Sequence, residues 1–216
     1  LVADSTQADS PCSIAAVGFA LTAYPVAVER GWMTRDDALT LTLATLRFFD
    51  VGNASGASPD LAYNGFFFHF LDMRTGKRAW KCEVSVIDTA LLVAGMLFAA
   101  RYFERASEAE NEVGQRVLAI YRRIDWRWMQ NGGDAFALAW TPERGFMRKR
   151  WVGYSEGLIL YVLALGAPAH AVDPAAYAMW LSGYRWKTIY GRSYVYAGPL
   201  FIHQFSHLWI DFRGIR

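Results

Sequence analysis

Two kinds of predicted helix alternate along this chain, and that alternation constrains the fold more than any other feature. Helices that are apolar on nearly every side are predicted at 12–29, 85–104, 155–166 and 199–210. Helices that carry charge on one face are predicted at 35–50, 108–123 and 174–183. A helix that is apolar all round is buried, whereas an amphipathic helix covers a core from outside. The order therefore predicts an inner ring of helices wrapped by an outer ring.

We accordingly expect a mainly α fold of the (α/α)6 toroid type, also called a six-hairpin barrel. A complete toroid needs six helix pairs, and the sequence supplies three pairs and one further inner helix. Residues 1–216 are thus expected to form a single domain that is the N-terminal part of a longer one. The remainder of that domain is an expected partner, and the chain would then be one half of an assembly.

The starts and ends of these helices carry local signals. Proline after a cap residue marks Ser10-Pro11 and Asp173-Pro174. A Ser or Thr followed three residues later by an acid marks starts at Thr34, Ser85 and Ser107. Helix ends are predicted at Gly31, Gly52 and Gly166.

A small β insert is predicted between the second and third helices. A loop over 52–59 precedes a turn signal at 63–65, and 66–80 is typical of a short hairpin with its turn near Thr75-Gly76. A second strand pair is predicted at 135–140 and 145–148, turning at Pro142.

Composition excludes several function classes. The net charge is +2 with both signs interspersed, so no basic nucleic-acid footprint is present. The longest apolar stretch, Ile14–Val28, is shorter than the roughly 20 residues of a membrane span and contains Pro25. Phosphate-loop, dinucleotide and G-x-S-x-G motifs are absent from the sequence. Cys12 and Cys82 are expected to be free, buried thiols, with one disulfide as the alternative.

Aromatic residues form 16% of the chain and include nine Trp. Such a content suits surfaces that stack on flat ligands, and it equally suits a core built from large side chains. The cluster Asp125-Trp126-Arg127-Trp128 has the same two interpretations, a sugar platform or a packed corner.

Two glutamates lie at predicted helix entrances. Glu83 comes two residues before the cap Ser85, and Glu156 directly follows the predicted cap Ser155. Inner helices of a toroid run parallel, so both entrances open on the same rim. Two carboxylates flanking a cleft suit glycosidic hydrolysis, in which one protonates the leaving oxygen and the other activates water or attacks. The alternative explanation for an acid near a helix start is capping or the helix dipole. We prefer capping for Asp88 and consider it the weaker explanation for Glu83. For Glu156, capping and catalysis are equally supported by the spacing.

A helix dipole would stabilise ionised Glu156, whereas a general acid needs a raised pKa. Trp151 and Tyr154 are the neighbours expected to desolvate it. His203 and His207 are four residues apart on a predicted helix, a spacing that can bind zinc. No third ligand is evident, so sugar hydrogen bonding or core packing is expected there, with no metal. The charged hairpin that carries Asp72 is either a solvated edge or part of the cleft.

Six strings resemble the glucoamylase-like domain family, in order and over nearly the whole chain. They are SIAAVGF at 13–19, GFFFHFLDM at 65–73, EVSVIDTALL at 83–92, DWRW at 125–128, GYSE at 153–156 and HQFSHLWIDFRG at 203–214. That family includes bacterial endo-β-1,2-glucanases of glycoside hydrolase family 144. A related domain acts as a transglycosylase in cyclic β-1,2-glucan synthases. Family domains continue well past the segment at 213–215.

The resemblance implies an (α/α)6 toroid, a β-1,2-glucan substrate, no metal or other cofactor, and a periplasmic or secreted location. It implies that Glu83 and Glu156 lie in the sugar cleft, with Glu156 the better general-acid candidate. The expected substrate-binding residues are Asp72, Trp151, Tyr154, His203, Gln204 and His207. The leading hypothesis is an endo-β-1,2-glucan hydrolase. The alternatives are a β-1,2-glucan transglycosylase and a non-catalytic glucan-binding module.

Overall fold

The computed structural model describes residues 1–50, 60–104 and 107–215. Within these ranges the chain is mainly helical with small sheets, as the sequence predicts. The predicted loop over 52–59 and the helix end predicted at Gly52 lie outside the described residues. The described helices are α1 Ile14–Glu29, α2 Arg35–Phe49, α3 Val86–Tyr102, α4 Glu108–Arg123, α5 Trp126–Gln130, α6 Leu158–Leu165, α7 Ala175–Ser182 and α8 Leu200–Gln204, with a 3-10 helix at Phe205–Leu208.

The strands are short and pair antiparallel. They are β1 Cys12–Ser13, β2 Ala62–Tyr63, β3 Phe66–Phe67, β4 Phe70–Leu71, β5 Val84–Ser85, β6 Ala139–Thr141, β7 Gly145–Phe146, β8 Trp186–Ile189 and β9 Arg192–Val195. The pairings are β1 with β4, β2 with β3, β8 with β9, and the three-stranded order β5-β6-β7.

The packing of α1 against α3 lies at the centre of the fold. Gly18 faces the backbone of Leu91, and Gly95 faces the carbonyl of Gly18, so closely that a Cβ at either glycine would overlap backbone atoms. Eleven residues of α3 are buried, as predicted for a helix that is apolar nearly all round.

The amphipathic helices α2 and α4 pack side by side over this core. Two ion pairs join them, each at 2.7 Å: Arg35 with Glu110, and Arg47 with Glu112. The apolar stripe predicted for α4 is buried as expected, at Val113, Val117, Ile120 and Tyr121.

Three predicted helix starts are confirmed. The side chains of Thr34, Ser85 and Ser107 each accept a hydrogen bond from the backbone N–H three residues later. The start predicted at Ser10 is wrong, because Cys12–Ser13 pairs with β4 and the cap of α1 is Ser13.

The start predicted at Ser155 is also wrong. Helix α6 begins only at Leu158, after Gly157, and the Ser155 hydroxyl accepts a bond from the Gly157 N–H in the preceding turn. Glu156 therefore lies outside the first turn of the helix. Space at Gly157 is limited, because an added Cβ would lie 3.1 Å from Ser155 Oγ and 3.4 Å from the Trp151 ring.

The first predicted hairpin is divided between two sheets. A turn at Asn64-Gly65 joins β2 to β3. Strand β4 pairs with β1 on one side, and on the other it closes the predicted turn near Thr75-Gly76, where the Ala79 N–H donates to the Phe70 carbonyl at 2.9 Å. An isolated bridge between Leu71 and Arg78 flanks the 72–77 turn. The second predicted pair is confirmed as β6 and β7, and β5 extends that sheet.

The last third of the described chain departs from prediction. Hairpin β8–β9 was not predicted, although Tyr190-Gly191 turns it with φ of 51° and 72°. The helix predicted at 199–210 is present but shorter than expected: α8 covers Leu200–Gln204 and passes into a 3-10 helix at Phe205–Leu208. It is not buried on every side, because Leu200 is 69% exposed. One side of this segment packs on α1, where the Phe19 ring contacts Phe205 and Trp209.

The corner at 125–128 is packed. Asp125 caps α5 and Trp126 is fully buried. Cys12 and Cys82 are free, buried thiols, as expected. No helix among the described residues is long and apolar enough to cross a membrane.

Candidate active site

Glu83 lies immediately before β5, at the entrance of α3. Its backbone carbonyl accepts a bond from the His69 N–H at 2.9 Å, and its Oε1 lies 2.8 Å from His69 Nδ1. An ionised carboxylate can only accept, so Nδ1 carries the proton of this bond. The hydrogen bond from His69 lowers the pKa of Glu83 below its ordinary value, although burial opposes the shift. Glu83 is thus held as a carboxylate.

The second ring nitrogen of His69 faces Asp88. Its Nε2 lies 3.5 Å from Asp88 Oδ2, and the Asp88 carboxylate also accepts from the Ser85 hydroxyl. Burial alone would lower the pKa of His69, but the bond to Glu83 and the charges of Asp88 and Glu83 outweigh it and raise that pKa. The imidazole is thus favoured in its charged form between two carboxylates.

Ser85 is the residue that caps α3, because its Oγ accepts from the Asp88 backbone N–H over 3.2 Å. The Asp88 carboxylate lies in the first turn of α3 and accepts from the Ser85 hydroxyl. This side chain has a second role that the capping signal does not reveal. Burial raises the pKa of Asp88, and the negative charge of Glu83 raises it further. The negative charge of Asp88 in turn raises the pKa of Glu156.

Glu156 lies in the turn before α6. Burial raises the pKa of Glu156, and the negative charge of Asp88 raises it further. Glu83 and Glu156 therefore have pKa values shifted in opposite directions, the pattern by which a pair of carboxylates is divided into a base and an acid.

An aromatic wall, formed by Trp151 and Tyr154, precedes Glu156 in the chain. The Trp151 carbonyl accepts from the Tyr161 hydroxyl at 2.6 Å, which ties the segment before Glu156 to α6. Among the described residues, Trp151 Nε1 is buried without a hydrogen-bond partner. The Tyr154 ring lies 5.2 Å from the His203 ring, which brings α8 beside this wall.

Some predicted binding residues lie apart from this group. Gln204 is exposed, and the His207 ring packs on Phe212 at 4.6 Å beside a separate cavity formed by 207–213. His203 lies in α8, whereas His207 lies in the 3-10 helix that follows it. No group of three His, Cys, Asp or Glu side chains that could hold a metal occurs in the part of the chain described.

Asp72 is exposed in the turn after β4. Its Oδ1 accepts from the backbone N–H groups of Arg74 and Thr75 at 3.0 and 2.8 Å. The hydrogen bond from the Thr75 backbone N–H lowers the pKa of Asp72 most, and the bond from the Thr75 hydroxyl lowers it further. Asp72 lines a cavity of about 420 Å³ with Trp80 and the N-terminal segment.

A cavity of about 660 Å³ opens beside Glu83. Trp80 and Lys81 form one side, and residues 141–147 of the β6–β7 hairpin form the other. The pairing of β5 with β6 explains this arrangement, because it holds the hairpin next to the entrance of α3.

Sequence reasoning missed His69 and Trp80. His69 is the one polar residue within 66–71, a run otherwise of Phe and Leu, and that interruption is the signal that could have identified it. Nothing in the sequence marks Trp80 apart from the other eight Trp residues.

Comparisons with known proteins place this geometry in context. Residues 148–216 match the model of a family described as "putative glucoamylase". An exo β-1,2-glucooligosaccharide sophorohydrolase (non-reducing end) from Parabacteroides distasonis is 24% identical over 187 residues, which cover 83% of this chain and 24% of that protein.

Solved structures share the fold. An endo-β-1,2-glucanase from Chitinophaga pinensis, in complex with sophorotriose and glucose, has a TM-score of 0.82 and 25% identity, covering 92% of this chain and 50% of that one. A "putative glucoamylase" from Bacteroides uniformis has a TM-score of 0.87 and 24% identity, covering 98% and 53% respectively.

The chain spans about half the length of these solved relatives and about a quarter of the curated one. The similarity in fold nevertheless extends over nearly all of this chain. The resemblance to the glucoamylase-like family is therefore confirmed, by the family model over residues 148–216 and by the fold over most of the chain.

Proposed function

We propose that this chain belongs to a glycoside hydrolase that cleaves β-glucan, with β-1,2-linked glucan as its substrate. The observation that carries the proposal is the pair of glutamates at the entrances of α3 and α6, two helices that pack together. One is hydrogen-bonded to His69 beside an open cavity, and the other is partly buried, which raises its pKa.

The chemistry follows from the two environments. Glu156, with its raised pKa, retains a proton and donates it to the glycosidic oxygen as the bond to the anomeric carbon breaks. Glu83, held ionised by His69, removes a proton from the attacking water or attacks the anomeric carbon itself. Tyr154 and Trp151 exclude water from around Glu156, which keeps its neutral form favoured.

The names of the relatives support the choice of linkage. One curated relative acts on β-1,2-glucooligosaccharides, and one solved relative is an endo-β-1,2-glucanase. We extend that substrate to this chain, with endo-cleavage as the expected mode. His203 lies close enough to Tyr154 to share a sugar with it, and Gln204, His207 and Asp72 would bind more distant units.

The finer architecture is also a proposal. The helices of this chain would form part of an (α/α)6 toroid, with residues 1–216 as the N-terminal part of a longer domain. Its coverage of half of each solved relative supports this, as does the exposure of Trp186 and Leu200, at 64% and 69%. The rest of the toroid would cover those side chains. A polysaccharide substrate suits a periplasmic or secreted location.

Release of reducing ends from linear β-1,2-glucan tests the function. Glu156→Gln is expected to lower kcat by about 10²–10⁴-fold, the usual contribution of a general acid. Glu108→Gln, at an exposed position in the first turn of α4, is the matched control and should retain full activity.

Each other outcome contradicts a part of the proposal. Full turnover by Glu156→Gln with an intact circular dichroism spectrum would remove Glu156 from catalysis. Binding of glucan without release of reducing ends would favour a binding module. Cyclic or extended products would identify a transglycosylase.

A further inference from the structure

The backbone just before Glu83 adopts a conformation that side chains rarely tolerate. Trp80 and Lys81 both have φ of 53°, in the left-handed region that favours glycine. Two such residues in succession are unusual, and strain of this kind persists only where the surroundings enforce it.

The guanidinium of Arg78 supplies that enforcement. It donates from Nε to the Cys82 carbonyl at 2.6 Å and from a terminal nitrogen to the Lys81 carbonyl at 2.7 Å. It also binds Glu143 at 2.7 Å. One cation therefore fixes the strained segment and ties it to the β6–β7 hairpin across the cavity.

The consequence is the placement of the Trp80 side chain. Its ring is 72% exposed, yet it lies at the wall of the cavity that contains Glu83. The Phe70 ring supports it from behind, with centroids 5.4 Å apart. Trp80 also lines the neighbouring cavity that contains Asp72, so it stands between the two.

Exposure alone would mean little, because single exposed apolar side chains are common on protein surfaces. Trp32, for example, is 79% exposed in the turn between α1 and α2. Trp80 differs from Trp32 in two respects. Its backbone is strained and is followed by carbonyls that Arg78 binds, and it lies beside Glu83.

The chemistry of the cavity indicates what the ring would contact. Two cations, Lys81 and Arg144, are balanced by two carboxylates, Glu83 and Glu143, among the residues that line it. Such a lining favours a neutral ligand with many hydroxyl groups. A flat indole suits the apolar C–H face of a pyranose ring, while the charged groups suit its hydroxyls.

We propose that Trp80 is the stacking platform of a sugar subsite beside Glu83, which takes one pyranose ring of a neutral oligosaccharide. This inference rests on the proposed function. It adds to it the residue that binds one sugar ring of the glucan next to Glu83, the proposed base. Arg78 is the positioning residue, because it acts through the backbone of Lys81 and Cys82.

Isothermal titration calorimetry with linear β-1,2-gluco-oligosaccharides tests the subsite, in a Glu156→Gln background that prevents turnover. Trp80→Ala should weaken binding about tenfold, as expected for loss of one aromatic contact. Trp80→Phe should restore most of the affinity, since it keeps a flat ring. Trp32→Ala is the matched control and should bind like the parent.

The outcomes separate this proposal from the proposed function. If Trp80→Ala binds as tightly as the parent, the subsite is overturned while the hydrolase proposal stands. If the parent binds β-1,3- or β-1,4-gluco-oligosaccharides instead and Trp80→Ala loses them, the subsite stands and the β-1,2 linkage falls. If the parent binds none of these sugars, both proposals fail.

Discussion

His69 Nδ1 and Glu83 Oε1 lie 2.8 Å apart, so the connection between β3 and β4 is hydrogen-bonded to the entrance of α3. Asp88 faces the other nitrogen of the same ring at 3.5 Å. The imidazole thus lies between two carboxylates. The negative charge of Asp88 also raises the pKa of a third carboxyl group, that of Glu156. The protonation of these groups is coupled, and changes at one should be measurable at the others.

Replacement of His69 should alter the acid limb of the pH profile. The bond from His69 lowers the pKa of Glu83, which keeps the base ionised in acid. His69→Asn removes the positive charge, so the pKa of Glu83 should rise and the acid limb of kcat/KM should move to higher pH. Steady-state hydrolysis of β-1,2-glucan across the acid range measures this. An acid limb identical to the wild type would contradict the base role of Glu83.

Replacement of Asp88 should alter the opposite limb. The negative charge of Asp88 adds to burial in raising the pKa of Glu156. Asp88→Asn keeps the shape of the side chain and removes that charge, so the pKa of Glu156 should fall. The alkaline limb of kcat should then move to lower pH, because a general acid must be protonated. Movement in the other direction would show that Glu156 is not the acid.

The His69–Glu83 pair should also contribute to stability within a defined pH window. The raised pKa of His69 gives stability that is full below the unfolded pKa and lost as pH rises through the folded one. The lowered pKa of Glu83 gives stability that is present above its unfolded pKa and lost as pH falls through the folded one.

Both contributions are therefore present in mildly acidic solution. Urea unfolding of the wild type and His69→Asn should differ more at about pH 5.5 than at about pH 9. Comparing the two proteins at each pH cancels the titration of unrelated groups. A difference in unfolding free energy that does not change with pH would show that the pair is electrostatically neutral to folding.

The sequence predicted those features that depend on neighbouring residues. The caps at Thr34 and Ser85 are set by a side chain and an N–H three residues apart, and both are confirmed. Glu83 and Glu156 were selected as candidates for the same reason, since each lies close before a helix. The β6–β7 hairpin was marked by its own turn.

The features that escaped prediction depend on distant parts of the chain. His69 meets Glu83 because Phe68 pairs with Val84 in an antiparallel bridge. The pairing of β4 with Cys12–Ser13, some sixty residues away in sequence, displaced the predicted cap of α1. Ser155, predicted as a helix cap, instead accepts from the Gly157 N–H in the turn before α6. The exposed face of α8 depends on which helices pack over it, and no local pattern records that.

The crossing of α1 and α3 gives a prediction about the scaffold that holds the site. Gly95→Ala would place a Cβ against the Gly18 carbonyl, and backbone atoms cannot rotate away as a side chain can. The helices would have to separate, at a cost of about 3 kcal/mol in the free energy of unfolding. Gly114→Ala is the matched control, because nothing lies within 4 Å of the added Cβ in α4.

The control substitution should stabilise the chain by about 0.5–1 kcal/mol, since alanine favours a helix interior over glycine. Urea denaturation of both variants measures the two free energies. Because Glu83 and His69 lie at the entrance of α3, a Gly95→Ala protein that remains folded should also lose activity. Equal stability of the two variants would mean that α1 and α3 do not approach at Gly18 and Gly95, and the placement of Glu83 at the entrance of α3 would lose its structural support.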